Sequence, residues 1–481
     1  MLTLKQNTAF YLGMLVYISI NCVLYMYDAL WLSLLPAVIF MGWAVVYHPT
    51  KVLLFVAFAT PLSIKYTFED LGLGINLPTE PLMIAMMGLF WLGVFLTGEG
   101  IDKKMLKHPI TLAIIFNLAW ILITACTSSM PIVSIKFFIA RFWFVSCFYF
   151  MAVHLFKDKA SIKAFFWLFS LSLAIVVVYA LQRHSQYLFA QSYSTKAPQP
   201  FFPDHGVYAA VLCLMLPAML FFTFKRKAFG LGLWQQFFAL CLSCILIAGI
   251  IFSFTRAAWI GIGGASAFFV IFLLRIRFGT LMFFAVLLTG FIWYYQTEIY
   301  FKLESNKKVS QKADIEQKVQ SISNITTDAS NVERLNRWHC AIRMFKERPV
   351  FGWGPNTYMF QYSAFQLARD LTIISVRTGT QGNAHSEYLG PLAEEGVLGL
   401  ATVIILVLVS LYKSMQLIYR GKEPWIRLTA MAAILALITY FVHGLINDYL
   451  DLDKAAVPVF GLLAIITALD LFHSKGVQRI E

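Results

Sequence analysis

Residues able to do chemistry gather in three places. The stretch QGNAHSEYLGPLAEEGVLGL, residues 381–400, sets His385, Glu387, Glu394 and Glu395 directly before an apolar run of membrane length. A neutral imidazole accepts a proton at ambient pH, so His385 is a candidate general base, or alternatively an interfacial histidine at a helix start. Glu394 and Glu395 precede Gly396. They form a solvated kink between a short interfacial helix over 386–395 and the next span, or they orient the histidine or an arginine. The second group is cationic: Arg256 in CILIAGIIFSFTRAAWIGIGGA (244–265), with Arg141 and Lys136 in an earlier apolar run. Charges at membrane depth are costly, and a guanidinium fork suits phosphate oxygens. A plainer reading has Lys136 snorkelling to the surface and Arg141 paired with a buried acid. The third group is HGLINDYLDLDKAAVP (443–458), with Asp448, Asp451 and Asp453. Its D-x-D looks like a metal-binding pair of sugar transferases, but no further ligand accompanies it. An aspartate paired with an arginine is expected instead, Asp448 first and Asp451 second. No metal site and no cofactor are expected.

The elements that position these groups follow from composition. The 481 residues are 59% apolar and 13% charged, with a mean hydropathy of +0.71. Soluble domains carry about 25% charged residues. Continuous apolar runs select helices over an alternating transmembrane barrel. The expected fold is therefore all-α: a polytopic membrane protein of about 12–14 transmembrane helices, with one large helical outer loop. Roughly fourteen runs are found, the third (about 51–64) short, with Pro61 inside it, and open to a re-entrant reading. The expected division is 1–296, a bundle of about eleven spans; 297–396, the outer loop carrying His385; and 397–481, the last spans. Lys5 ahead of an apolar run without a small-residue cleavage site reads as a first span that is retained.

The net charge of +13 is chiefly a topology signal, not one for nucleic acid. With a cytoplasmic N-terminus, Lys103, Lys104, Lys225, Arg226, Lys227, Arg275, Arg277 and Arg420 fall inside, and the short outer loops hold about four times fewer cations. Both termini are then cytoplasmic. Six of the seven cysteines lie in apolar segments, which excludes a disulfide framework or a zinc site. In the outer loop, residues 302–330 are polar. Ser330-x-x-Glu333 resembles a capping box opening a helix that Arg348–Pro349 ends, and a second short helix is expected over about 357–372. Trp338, Trp353 and Tyr358 are candidate sugar-stacking surfaces or simply loop core. P-loop, G-x-S-x-G, H-E-x-x-H and Rossmann motifs are missing.

Three motifs together resemble the O-antigen ligase and O-antigen polymerase (Wzy-type) superfamily of bacterial membrane glycosyltransferases, with a GT-C-like architecture. They are FSFTRAAWIG (252–261), RLNRWHCAIRMFKERPVFGWGPNTY (334–358) and NAHSEYLGPLAEEGVLGL (383–400), and the likeness covers about 200–465. The resemblance implies glycan transfer from an undecaprenyl-pyrophosphate carrier to an acceptor hydroxyl, on the periplasmic side of the bacterial inner membrane. It places the catalytic histidine on His385, the conserved arginine on Arg256, and a late acid on Asp448 or Asp451. Arg256, helped by Arg141 or Lys136, would stabilise the pyrophosphate leaving group, and His385 would deprotonate the acceptor, inverting the sugar without a metal. Lipid A–core as acceptor makes a ligase of lipopolysaccharide biosynthesis. A lipid-linked repeat makes a polymerase, and a Ser/Thr side chain a protein O-oligosaccharyltransferase. Membrane lipids are expected partners as well, and nucleic acid is not. From a different class, a polysaccharide flippase or transporter would also carry many spans and buried cations.

Overall fold

The computed structural model describes residues 2–27, 32–33, 35–68, 73–98, 100–295, 325–371, 375 and 382–474. It is an all-α polytopic membrane protein. Ten helices are long and apolar enough to cross a membrane, and four shorter apolar ones accompany them among the described residues. Helices α1 (Leu2–Tyr25), α2 (Leu35–Tyr47) and α3 (Pro49–Ala59) come first. The third apolar run ends in a 3-10 turn at Thr60–Leu62 and feeds an unforeseen antiparallel hairpin, β1 (Ile64–Phe68) and β2 (Leu73–Leu77), with Ile64 opposite Leu77. There follow α4 (Thr79–Thr97), α5 (Pro109–Cys126), α6 (Pro131–Leu155, with a π-helical stretch at Ser146–Met151) and α7 (Lys159–Ser185).

Helix α8 (His205–Phe224) starts where Asp204 caps the backbone N–H groups of Gly206 and Val207 at 2.6 and 3.0 Å. Helices α9 (Leu233–Phe252) and α10 (Arg256–Leu273) are joined by three residues, and α11 is Phe278–Tyr294. Helix α12 runs Ile325–Glu347. Its start lies upstream of the expected capping box, so Ser330 and Glu333 sit inside it, and Glu333 is used instead as the i,i+4 partner of Arg337 (3.2 Å). The polar stretch before residue 325 lies outside the described residues. The short helix expected over 357–372 is broken into Tyr358–Gln361 and two 3-10 turns.

Helix α13 (Leu389–Arg420) bends at Gly396, and α14 (Pro424–His443) and α15 (Asp453–Ala468) close the bundle. Helices α8, α14 and α15 are apolar almost all round and are the most buried spans, which puts them at the centre. Helix α14 packs against α8, α10 and α13. The starts of α8, α10, α13 and α15 and the ends of α9 and α14 meet at one end of this bundle. The basic residues Lys225–Lys227, Arg275, Arg277 and Arg420 mark the other.

Candidate active site

The loop over α13 is assembled around the bend of that helix. Gly396 has φ 73° and ψ −164°, a combination open to glycine alone. A Cβ there would lie 2.2 Å from the Val350 carbonyl oxygen, and the Val397 N–H donates to the Pro349 carbonyl at 2.9 Å. Glu394 faces the same bend. Its carboxylate accepts the N–H groups of Asn356 and Tyr358 at 2.9 and 2.8 Å, so it holds the FGWGPNTY segment. Gly396→Ala is expected to destabilise the protein by at least ~1–3 kcal/mol from backbone strain alone. A thermal-unfolding midpoint in detergent equal to that of the wild type would contradict this packing.

Tyr358 is 1% exposed, stacks on Tyr362 and donates to the Arg337 carbonyl at 2.8 Å. It belongs to a small core with Cys340, Met344 and Ala393, against which Trp353 packs, and so offers no face to a sugar. Trp338 is half-buried and its indole N–H reaches toward the His385 carbonyl at a long 3.5 Å.

His385 sits in the left-handed region, with φ 50°. An Asx turn supports it: its N–H donates to Asn383 Oδ1 at 3.1 Å. Arg337 donates to the Asn383 carbonyl at 3.0 Å, and the Asn383 amide donates to the Asp448 carbonyl at 3.1 Å. Immediately downstream, Glu387 accepts hydrogen bonds from the backbone N–H groups of Tyr449 and Leu450 (both 2.8 Å) and from the Tyr440 hydroxyl. The histidine loop is thereby fastened to the 444–452 loop.

Between them lies an outer cavity of about 380 Å³, lined by Asp204, His205, Thr255, Arg334, His385 and Asp448 among others. Thr255 donates to the His205 carbonyl at 3.1 Å, which ties the α9–α10 turn to the cavity wall. Arg256 is the next residue. It is exposed, begins α10, and makes no side-chain hydrogen bond or ion pair among the described residues. His385 and the Arg256 turn therefore share one end of the bundle, and Thr255 of that turn lines the cavity of His385, whereas Arg256 itself is not part of its lining.

A smaller inner cavity of about 80 Å³ adjoins it, lined by Arg141, Glu387, Glu394, Glu395, Asp448 and Asp451 with apolar neighbours. Asp448 and Asp451 line both. Arg141 is 8% exposed and its guanidinium donates to Asp451 at 2.7 Å, so the arginine's acidic partner is Asp451 rather than Asp448. Lys136 is exposed on α6 and lines neither cavity. The second acid of the D-x-D faces elsewhere: Asp453 accepts from Ser63 (2.9 Å) and Thr79 (3.2 Å) beneath the β-hairpin. Among the described residues no group of three or more His, Cys, Asp or Glu could hold a metal ion.

Burial, and then Arg337 and Arg334, push the His385 pKa from 6.5 down to about 3. The imidazole is neutral throughout the physiological range. Between the unfolded value and about 3 the unfolded chain binds more protons, so this group's contribution to stability falls as pH drops through that window. In nitrogen-15 spectra of histidine-labelled protein, the His385 signal, assigned by its loss in His385→Gln, is expected to be neutral at about pH 5. An imidazolium signal there would contradict the environment described.

Residues 241–404 match a family model described as O-antigen ligase. The match supports the O-antigen ligase/polymerase-type superfamily and spans about a third of the chain. No curated protein matches the chain. The O-antigen ligase match is narrower than the 200–465 stretch of the resemblance, yet it holds all three motifs, with Arg256, Arg334, His385, Glu387, Glu394 and Glu395. Arg141, Lys136, Asp448 and Asp451 lie outside it. O-antigen ligase-type proteins imply ligase- or polymerase-like glycosyltransferase activity on lipid-linked glycans at a membrane. Three residues lining the two cavities were given no role from sequence: Arg334, although it opens the second motif, and His205 in the outer one, and Glu387 in the inner one. The repeated arginines of RLNR, one helical turn apart and beside the histidine motif, were the only signal for the first.

Proposed function

We propose that the protein transfers a glycan from an undecaprenyl-pyrophosphate carrier to an acceptor hydroxyl at the periplasmic face of the bacterial inner membrane, as an O-antigen ligase does with lipid A–core. The observation that carries this reading is the outer cavity, which puts a neutral imidazole, His385, with Arg334 and beside the Arg256 turn.

The sugar's C1 carries a pyrophosphate, whose departure builds negative charge. Arg256 beside the cavity and Arg334 on its wall bind and neutralise that charge, Arg334 from a half-buried position and Arg256 from an exposed one. So good a leaving group needs no general acid. The acceptor oxygen attacks C1 from the opposite side while its proton passes to His385, and one displacement inverts the anomeric centre. The bound diphosphate offsets the arginines that depress the imidazole, so His385 becomes a stronger base when donor is present. Glu387 and Glu394 position the two loops. Arg141 holds Asp451 in place, and Lys136 serves the membrane surface. The basic residues at the opposite end of the bundle support a cytoplasmic location for that end and a periplasmic one for the site.

Reconstitution in vesicles with a lipid-linked glycan, offering lipid A–core, a second lipid-linked repeat or a Ser/Thr peptide in turn, tests the reading. Product on lipid A–core with inverted linkage is expected. Chain elongation instead would make the protein a polymerase, which the family match supports equally. Peptide glycosylation would make it a protein O-oligosaccharyltransferase. Movement of lipid-linked glycan across the vesicle membrane without new glycosidic bonds would make it a flippase and overturn the proposal.

A further inference from the structure

The inner cavity holds more acid than its one arginine can balance. Facing it are Arg141 from α6, Glu387 and Tyr388 from the histidine loop, Glu394 and Glu395 from α13, Tyr440 from α14, and Asp448 and Asp451 from the last loop, while α5 contributes the uncharged Asn117. Three of the five carboxylates are accounted for. Asp451 has Arg141, Glu387 has two backbone N–H groups and a tyrosine hydroxyl, and Glu394 has two backbone N–H groups.

Asp448 and Glu395 have no side-chain hydrogen-bond donor among the described residues. Glu395 is 3% exposed, and its Oε2 is fully buried without a partner. The missing Cβ of Gly399 leaves room for that oxygen, since a Cβ there would lie 3.1 Å from it. An ionised Glu395, buried without a donor in a cavity shared with four other carboxylates, would be strongly disfavoured. A proton relieves this and needs no further ligand, whereas a metal ion would need ligands that the described residues do not assemble. Asp448 lines both cavities, so it connects the inner one with the chamber of His385, where the acceptor loses its proton.

We propose that the inner cavity is a proton-binding site, in which Glu395 holds an exchangeable proton at rest and Asp448 takes up a second from His385 during turnover. The coupling to turnover rests on the proposed glycan transfer. In that step the acceptor O–H bond breaks, its oxygen bonds to C1, and the C1–O bond to pyrophosphate breaks with its electron pair on the departing diphosphate. The proton moves to His385, then to Asp448, and leaves to solvent through the outer cavity as products depart. Burial and the nearby Glu387 and Asp451 carboxylates raise the pKa of Asp448 well above the ordinary aspartate range, which suits it to receive a proton from an imidazole. Asp448 and Glu395 act through His385 and are positioning residues.

Infrared spectroscopy of the purified full-length protein in nanodiscs tests the proton site without any substrate. A carbonyl-stretch band of a protonated carboxylic acid is expected at about pH 7, shifting in D2O and vanishing in Glu395→Gln. Absence of the band from the wild type, its persistence in the variant, or its loss when sodium replaces choline in the buffer (a metal ion displacing the proton) would overturn the site. For the coupling, Glu395→Gln is expected to lower kcat by about tenfold and to move its pH profile by about one unit, with donor KM within twofold. An unmoved profile would overturn the coupling. Should the wild type transfer no glycan to any acceptor, the functional reading fails while the infrared result still decides the site.

Discussion

His385→Ala is expected to reduce glycan transfer by roughly 100- to 10,000-fold, the range of a lost general base, with protein level and unfolding midpoint close to wild type. The side chain is half-buried at a cavity wall and, among the described residues, makes no hydrogen bond that its removal would leave broken. The loop geometry is carried by backbone groups instead: Asn383 Oδ1 on the His385 N–H, Arg337 on the Asn383 carbonyl, and the Glu387 N–H on Gly444 at 2.8 Å. None of these needs the imidazole. Relief of a non-glycine φ of 50° is not gained by alanine, so stability should change little in either direction. Transfer by an inserted His385→Ala protein at the wild-type rate would remove the base from the mechanism.

Arg256→Ala and Arg334→Ala should each lower transfer by roughly 100- to 1,000-fold, the scale for removing one fixed donor from a developing anion. Their other consequences differ because their surroundings differ. Arg256 is exposed at the first position of α10, where no side-chain partner among the described residues is left behind, so its loss should leave the unfolding midpoint unchanged. Arg334 is on the outer-loop helix α12, half-buried in the cavity wall, and burial lowers its pKa before any effect of neighbours. Its loss should raise the pKa of His385, which Arg334 helps to hold down, and should therefore move the histidine's titration toward 6.5. The comparison is made by measuring transfer kinetics and histidine spectra on both variants. An unchanged His385 titration in Arg334→Ala would break the electrostatic link between them.

The membrane-crossing helices could be read from sequence because lipid imposes a length and a composition on each, whatever its neighbours. The tight α9–α10 turn and the break at Gly396 were likewise local: three residues between two apolar runs, and a glycine after paired glutamates. The hairpin at 64–77 was not legible. Its ten strand residues lie between apolar runs, and what holds its base is the distant Lys454, which donates to the carbonyls of Thr60 and Ser63 at 2.6 and 2.7 Å. Glu387 was passed over for the same reason. It carried no role in the sequence reading, and its partners are Tyr440 of α14 and Tyr449 and Leu450 of the following loop, more than fifty residues on. Pairing of Arg141 with an acid followed from the cost of a charge at depth, but the choice of Asp451 over Asp448 is set by loop geometry that periodicity does not encode. Arg334 needed the outer loop folded over the bundle before its place could be seen.

The central claim is that a lipid diphosphate sits in the outer cavity between Arg256, Arg334 and His385. A structure of the protein in nanodiscs with undecaprenyl pyrophosphate tests it most directly. The expected result is diphosphate density in that cavity, within hydrogen-bonding reach of both guanidinium groups. Ordered diphosphate at the opposite, lysine- and arginine-rich end of the bundle, with the cavity of His385 empty, would contradict it.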